Sequence, residues 1–458
     1  MMESRTVDQL AAAQQAADRH AWPEAYGLLA ALDAKGQLGA AGLELLGTMG
    51  WWAAEPDASV SARERAFAAY LAEGDRVRAA YMALLAAKDH QSHLSDVVAQ
   101  AWRARAARIL NEEPESFAHG YLVLFESEEA MGGGDFVRAA ELAGRAVDIG
   151  SRFGDKDLQG FGLVFRGMAL VRGGELKEGL LLLDEATAAA VSGELSPFAT
   201  GVVYCATIST CRDLADYRRA GQWTEVARRW CERQAISGFP GVCRVHRAEI
   251  LSLRGEWTSA EDEARRASEE LLSYKAFYQA AEGFYALSEI RLRMGDLAAA
   301  DEALRQAQDL GREPQPARAL LYLAQGRVDA AMSSIGRALA EPIPERLRRA
   351  RLLPAQVEIA LAAGDIATAR TAAEELAGIA EDFGSPALHA AAHCARGAIH
   401  NAAGEPEQAL QELGRGLAHW QTVDAPYEIA RTRRLIGDAL RLREEVDDAR
   451  LEWEAARS

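Results

Sequence analysis

The sequence predicts an all-α protein, a right-handed superhelical solenoid of about twelve stacked helical hairpins. Three observations carry this expectation. First, one pattern recurs: a Gly, an acidic or polar residue, an apolar or aromatic residue, and a small residue five places after the Gly. It stands at Gly134…Ala139, Gly174…Gly179, Gly221…Val226, Gly255…Ala260, Gly295…Ala300, Gly326…Ala331, Gly364…Ala369 and Gly404…Ala409, and without its Gly at Glu444…Ala449. Second, successive turns lie roughly 31 to 47 residues apart, several at about 40, a period that marks arrays of helical hairpins. Third, Ala is abundant and Pro is scarce inside the periodic segments, a composition that favours helix.

The unit is clearest from Ala395 to Gly416. Gly404 suits a turn because it tolerates the left-handed conformation that ends a helix. Pro406 suits the first turn of the next helix, where its missing N–H costs nothing. Small residues at Gly397, Ala409 and Gly416 stand where two antiparallel helices must approach closely.

Taken in order, residues 1–112 read as degenerate repeats. Their turns fall near His20–Glu24, Ala54–Asp57 and His90–His93, and Lys35–Gln37 and Gly74–Asp75 lie between repeats. Residues 113–192 are regular, with turns at Gly134 and Gly174. The triple Gly132–Gly134 lacks a following Gly-Lys-Ser/Thr and a preceding strand, so it reads as a repeat turn and not as a phosphate loop.

Residues 193–254 are atypical and rich in aromatic residues and Cys. A helix from Gly201 to Trp223 is expected to carry Tyr204, Cys205, Cys211, Arg212, Asp213 and Tyr217. Its partner holds Trp230 and Cys231. A break at Ser237–Pro240 then precedes a helix bearing Cys243, His246 and Glu249. Residues 255–458 return to regular hairpins, interrupted by Gly311–Pro316 and Glu341–Pro344 and shortened around Gly326. The whole chain reads as one continuous solenoid, because each hairpin packs only on its neighbours.

Composition narrows the function. Among 458 residues the net charge is −17, which argues against a nucleic-acid-binding surface, since that needs a basic face. Five Cys, an odd number with no C-x-x-C, argue for a reducing compartment. The N-terminal segment is no signal peptide, and no apolar run is long enough to span a bilayer. The expectation is a cytoplasmic protein with no membrane contact.

The repeat resembles the tetratricopeptide repeat. One copy places Ala248, Leu251, Gly255, Trp257, Ala260, Ala264 and Ala267 at its positions. Another places Gly437, Leu440, Glu444, Val446, Ala449, Trp453 and Ala456 there. Spacing departs from the family's 34, and the closing Pro is often missing. Tyr204–Ala206, Arg218–Thr224, His246–Leu251, Gly311–Pro316 and Ala425–Glu428 further resemble the repeat region of large actinobacterial regulators of the LuxR-type, MalT-like class. That resemblance implies a sensor or assembly part serving transcriptional control. The residues through Ser458 hold neither a recognition helix nor a Gly-Lys-Thr loop, so no catalytic or DNA-contacting residue is carried over.

Candidate site residues come from the inner helices, which face the groove in tetratricopeptide proteins. Tyr204, Arg212, Asp213, His246 and Glu249 form one group. Tyr278, Glu282, Tyr285 and Glu289 continue it at helical spacing one repeat later. Tyr217, Trp223 and Trp230 read more readily as core. His389, His393 and His400 share one helix face, but no H-E-x-x-H accompanies them, so packing or an exposed polar stripe is the expected role. Cys205, Cys211, Cys231 and Cys243 read as buried fillers, with a redox pair or a soft-metal site joined by His246 as the alternative. Arg346, Arg348, Arg349 and Arg351, and later Arg431, Arg433 and Arg434, read as solvated, ion-paired faces beside Glu341, Glu345 and Glu358.

The expectation is therefore a non-enzymatic chain with no cofactor and no metal. Its groove takes a peptide, a protein partner or a small effector, without direct nucleic-acid contact and with self-association open. A stand-alone adaptor that assembles protein complexes is the alternative, followed by a metal- or thiol-dependent enzyme on a helical scaffold.

Overall fold

The computed structural model describes residues 2–233, 242–343 and 345–457, with side chains from 7 to 232, from 244 to 343 and from 345 to 457. Among the described residues every regular element is an α-helix, and the 24 helices pair into twelve hairpins. The first are α1 (Met2–Asp18) with α2 (Trp22–Asp33), α3 (Ala40–Trp52) with α4 (Pro56–Glu73), α5 (Arg76–Ser92) with α6 (Asp96–Leu110), and α7 (Phe117–Gly132) with α8 (Phe136–Phe153). The middle four are α9 (Lys156–Gly173) with α10 (Leu176–Ser192), α11 (Pro197–Asp213) with α12 (Tyr217–Arg233), α13 (Val242–Leu253) with α14 (Trp257–Ser273), and α15 (Phe277–Met294) with α16 (Leu297–Asp309). The last are α17 (Ala317–Ala324) with α18 (Val328–Ala340), α19 (Arg346–Ala362) with α20 (Ile366–Phe383), α21 (Pro386–Ala403) with α22 (Pro406–Thr422), and α23 (Pro426–Leu442) with α24 (Val446–Ala455).

One backbone rule builds all twelve. Each hairpin turns on a single residue with positive φ: His20, Ala54, Leu94, Gly134, Gly174, Ala215, Gly255, Gly295, Gly326, Gly364, Gly404 or Glu444. From Ala54 to Gly295 that residue recurs every 40 or 41 positions. The interval falls to 31 before Gly326, where α17 has only 8 residues. The left-handed residue reverses the chain, and the next N–H then closes the helix end. Asp135 N bonds Ala130 O, and Asp216 N bonds Cys211 O. In several copies that next residue is an Asp whose carboxylate accepts from the third N–H of the following helix, as Asp135 does from Arg138 and Asp296 from Ala299.

Two further positions set the closeness of each pair. Five residues after the turn stand Ala25, Ser59, Ala99, Ala139, Gly179, Ala220, Ala260, Ala300, Ala331, Ala369, Ala409 and Ala449, every one small and buried. Seven residues before it stand Ala13, Gly47, Ala87, Ser127, Gly167, Ile208, Ala248, Ser288, Ala319, Val357, Gly397 and Gly437, again all buried. Between α9 and α10 the backbones nearly touch: a Cβ added at Gly167 would lie 2.9 Å from the Gly179 carbonyl oxygen. Only Ile208 and Val357 put a large side chain at this crossing.

The structure corrects the expected turn at Gly221. The helix expected across Gly201–Trp223 is two helices, and the reversal lies at Ala215 (φ 59°). Gly221 sits inside α12, where an added Cβ would meet Arg254 Nη2 at 3.0 Å. The tight helix ending and the Asp216 carboxylate, which accepts from Arg219 N, set the turn without a glycine. The expected break at Ser237–Pro240 and the residue Pro344 lie outside the described residues.

Each odd-numbered helix from α5 to α21 packs on the next odd-numbered one, so these helices form a continuous inner layer. That layer curls until α13 touches α23. Lys275 Nζ lies 2.6 Å from Asp57 Oδ1, and the Trp51 ring meets Phe198 edge-on at 5.1 Å. The array is thus wound tightly enough for distant hairpins to meet. No helix among the described residues is long and apolar enough to cross a membrane.

Candidate functional site

The inner layer is most charged where α9, α11, α13 and α19 converge. Arg212 and Asp213 occupy the last turn of α11, just before the Ala215 reversal. His246 and Glu249 lie one turn apart on α13. Arg212 Nη1 donates to both Glu249 carboxylate oxygens at 3.0 Å, and its Nη2 and Nε donate to Asp213 Oδ1 at 2.8 and 3.1 Å. His246 Nδ1 stands 3.2 Å from Glu249 Oε2. One guanidinium therefore clamps two carboxylates from neighbouring inner helices, the strong fork geometry for such a pair.

Two arginines approach from other helices. Arg172 of α9 places Nη2 3.9 Å from Asp213 Oδ2 and Nε 3.2 Å from Glu345 Oε1. Arg351 of α19 places Nη1 3.8 Å from Asp213 Oδ1. Because α19 lies four hairpins beyond α11, these contacts cross the lumen of the solenoid. Among the described residues Arg351 makes no hydrogen bond, although its side chain is only 35% exposed. Pro354 in α19 lacks the N–H that would bond the Ala350 carbonyl, one residue before Arg351.

The wall continues along α15. The Tyr285 hydroxyl donates to Glu289 Oε1 at 3.3 Å and accepts from Ala317 N at 3.4 Å. Arg312, on the connector that stands in for the missing first turns of α17, lies 4.5 Å over the Tyr285 ring and 2.6 Å from Glu282. Arg293 donates to Ser252 Oγ at 3.1 Å and faces the Tyr427 ring at 5.5 Å.

Burial and pairing pull these acids in different directions. Burial raises the Asp213 carboxyl, but Arg212, Arg351 and Arg172 outweigh it and hold it below its ordinary value. Burial also raises Glu249, and the Arg212 charge and the His246 hydrogen bond bring it well below the usual carboxylate range. At Glu345 burial wins over Arg172, and the carboxyl is raised.

The structure thus brings together Arg212, Asp213, His246 and Glu249, and sets Glu282, Tyr285 and Glu289 beside them on α15. Tyr278 is 62% exposed. Tyr204 needs correction as a wall residue: it is fully buried, with its ring 5.9 Å from Trp230, because its face of α11 packs against α12. Trp230 is core and Trp223 and Tyr217 are half-buried.

Sequence reasoning missed Arg172, Glu345, Arg312 and Arg351. Arg351 was grouped with a solvated cluster, and its neighbours behave that way: Arg346 pairs with Asp382 and Arg349 with Glu375. Arg351, however, lies about 200° around the helix from Arg349. That angular offset was the available signal. Arg431, Arg433 and Arg434 pair with Glu358, Glu452 and Asp438.

His389 and His393 both stack on His419 of α22, with ring centroids 5.6 and 5.8 Å apart, while His400 turns to Glu405 at 2.6 Å. Burial, then His393 and His389, lower the His419 imidazole. Among the described residues no group of His, Cys, Asp and Glu is placed to hold a metal ion. Cys205 and Cys211 are buried in α11, and burial pushes the Cys211 thiol up to about 12. The Cys243 side chain lies outside the described residues.

No protein-family model matches the chain, and no curated protein matches it. Several solved structures match the chain at low identity. An APC/C hetero-tetramer, Cut9-Hcn1, matches at 13% identity over 97% of this chain and 85% of its own, with a TM-score of 0.47. A Rap protein complexed with competence and sporulation factor matches at 12% over 84% and 96%, with a TM-score of 0.42. The human IFIT1 dimer with PPP-AAAA matches at 13% over 92% and 90%, with a TM-score of 0.42. The fold assignment rests on this chain's own twelve hairpins.

Proposed function

We propose that this chain is a non-enzymatic helical-repeat scaffold that takes a peptide, a protein segment or a small effector into its lumen. Arg212, Asp213, His246, Glu249, Glu282, Tyr285 and Glu289 form the wall, with Tyr278 at its exposed margin. The carrying observation is the cross-lumen contact, where Arg172 and Arg351 face Asp213 at 3.9 and 3.8 Å. Charges of opposite sign from distant hairpins meet there without closing full hydrogen bonds, so a bound partner can re-pair them. Re-pairing shifts the winding of the array, because each inter-hairpin interface is a small flexible joint.

We assign this binding to the cytoplasm and to the sensor or assembly part of a transcriptional regulator. The support for that role is the sequence resemblance of Tyr204–Ala206, Arg218–Thr224, His246–Leu251, Gly311–Pro316 and Ala425–Glu428 to such repeat regions.

Native mass spectrometry of the chain purified from its own host tests the binding reading. The expected result is a co-purified peptide or small molecule that is lost in an Arg351→Gln variant. A ligand retained equally by that variant places binding elsewhere and overturns the lumen site. Deleting the chain in its host tests the regulatory role: an unchanged transcript profile removes it.

A further inference from the structure

We infer that the cross-lumen arginines form a carboxylate-binding site, and that Asp213 occupies it in the ligand-free chain. The inference rests on the lumen-binding reading and names the ligand's chemistry. Asp213 stands where an incoming acid would: three guanidinium groups, from α9, α11 and α19, converge on its single carboxylate. Among the described residues only Arg212 hydrogen-bonds it. Arg172 and Arg351 stay at 3.9 and 3.8 Å, beyond hydrogen-bond distance.

The use already made of each carboxylate bears on the same point. Glu249 is already used, with both oxygens on Arg212 and one beside His246. Asp213 and Glu345 answer Arg172 and the rest of Arg212, while Glu289 and Asp213 both act on Arg351. Arg348 adds a further positive charge acting on Glu345. Four arginines thus face four carboxylates, Asp213, Glu249, Glu289 and Glu345, in a chain whose net charge is −17. A guanidinium offers five donors in a fixed fork matched to a carboxylate, and the Arg351 fork is unfilled among the described residues. An arriving carboxylate supplies the missing acceptor, and Asp213 competes with it for the same arginines. No covalent step is involved.

The test is titration of the full-length chain with hexaglutamate, hexaglutamine and free L-glutamate, at low and at physiological ionic strength. Net charge −17 disfavours non-specific uptake of an acidic peptide, so binding reports the arginines. Hexaglutamate is expected to bind at least about tenfold more tightly than hexaglutamine. Comparison with L-glutamate distinguishes a peptide source from a small acid. Arg351→Gln is expected to weaken hexaglutamate about tenfold, and Arg351→Lys, which keeps the charge but loses the fork, by less. Asp213→Asn is expected to tighten it several-fold by removing the competitor. Thermal unfolding of each variant verifies that it is folded.

Equal binding of hexaglutamine that still depends on Arg351 overturns the carboxylate assignment and leaves the lumen reading standing. Binding that ignores Arg351 overturns both. Weaker binding by a folded Asp213→Asn chain overturns the role of Asp213 as placeholder, and absence of binding by either acid overturns the site.

Discussion

The hairpins α9/α10 and α11/α12 are neighbours of nearly equal length, and they solve the same geometric problem in opposite ways. In α9/α10 the three diagnostic positions are Gly167, Gly174 and Gly179. The crossing is backbone on backbone, and the reversal falls on a residue that adopts positive φ freely. In α11/α12 they are Ile208, Ala215 and Ala220. A β-branched side chain fills the crossing, and an alanine is held at φ 59°, a conformation that disfavours any Cβ. The second hairpin also carries Arg212 and Asp213 in its last inner turn. The same pairing of traits recurs in α19/α20, where Val357 occupies the crossing and Arg351 reaches the lumen. The glycine hairpin is built for close packing. The two bulky ones hold Arg212, Asp213 and Arg351, and the glycine hairpin adds only Arg172 to their meeting point.

That contrast can be broken first at the charges. Arg212→Ala leaves Asp213 and Glu249 buried without their clamp. It is expected to destabilise the α11–α13 region by roughly 3–5 kcal/mol, the usual cost of removing one partner of a buried pair. Chemical denaturation followed by tryptophan fluorescence checks it, through Trp223 and Trp230. A loss under about 1 kcal/mol means the clamp is solvated and the two hairpins differ less than their structure implies.

Next comes the crossing. Gly167→Ile imposes on α9/α10 the residue that α11/α12 accepts. An added Cβ already lies 2.9 Å from both the Gly179 carbonyl oxygen and Leu183 Cγ. Overpacking of this kind is expected to cost about 1–3 kcal/mol, read as a lowered melting temperature. Unchanged stability would show that the α9/α10 spacing adjusts as readily as that of its neighbour.

Smaller and opposite in sign is Ala215→Gly. Relief of the left-handed conformation is expected to stabilise the chain by roughly 0.5–1 kcal/mol, after the greater freedom of glycine in the unfolded chain is counted. The reverse change at the equivalent position, Gly174→Ala, is expected to destabilise by a similar amount. If both substitutions move stability in the same direction, the turn conformation is not what separates the hairpins.

The smallest effect is with pH. Asp213 and Glu249 have folded pKa values below their unfolded ones, so their contribution is complete above the unfolded values. It is lost as pH falls from about 4 toward the folded values. Glu345, raised by burial, works in the opposite sense. Between pH 5 and pH 4 the net loss is expected to stay under about 1 kcal/mol. Hydrogen exchange is expected to find it in α11 and α13 before α9 and α10. Uniform loss of protection along the chain contradicts that assignment.

Much of the fold was legible in the residues because its rule is local. The left-handed turn residue and the small residue five places on need no distant partner, so Gly134, Gly255 or Gly404 announces its hairpin directly. Where the turn residue is Leu94 or Ala215, the glycine signal is absent. The pattern then drifted to Gly221, although the interval of 40 or 41 residues and the small side chain of Ala220 marked the true register. Arg212, Asp213, His246 and Glu249 were likewise legible as one group, since they sit on successive inner helices.

Sequence alone determined the helical class and the approximate hairpin count, because these follow from periodicity and from backbone chemistry within about 40 residues; the inward face of the first helices was implied by the resemblance to tetratricopeptide repeats. Tertiary structure alone decided that Arg172, Glu345 and Arg351 meet Asp213, that Tyr204 is core, and that Lys275 reaches Asp57. Those pairings depend on how tightly the array winds. Winding accumulates small rotations over many hairpins, and no single stretch of chain encodes it.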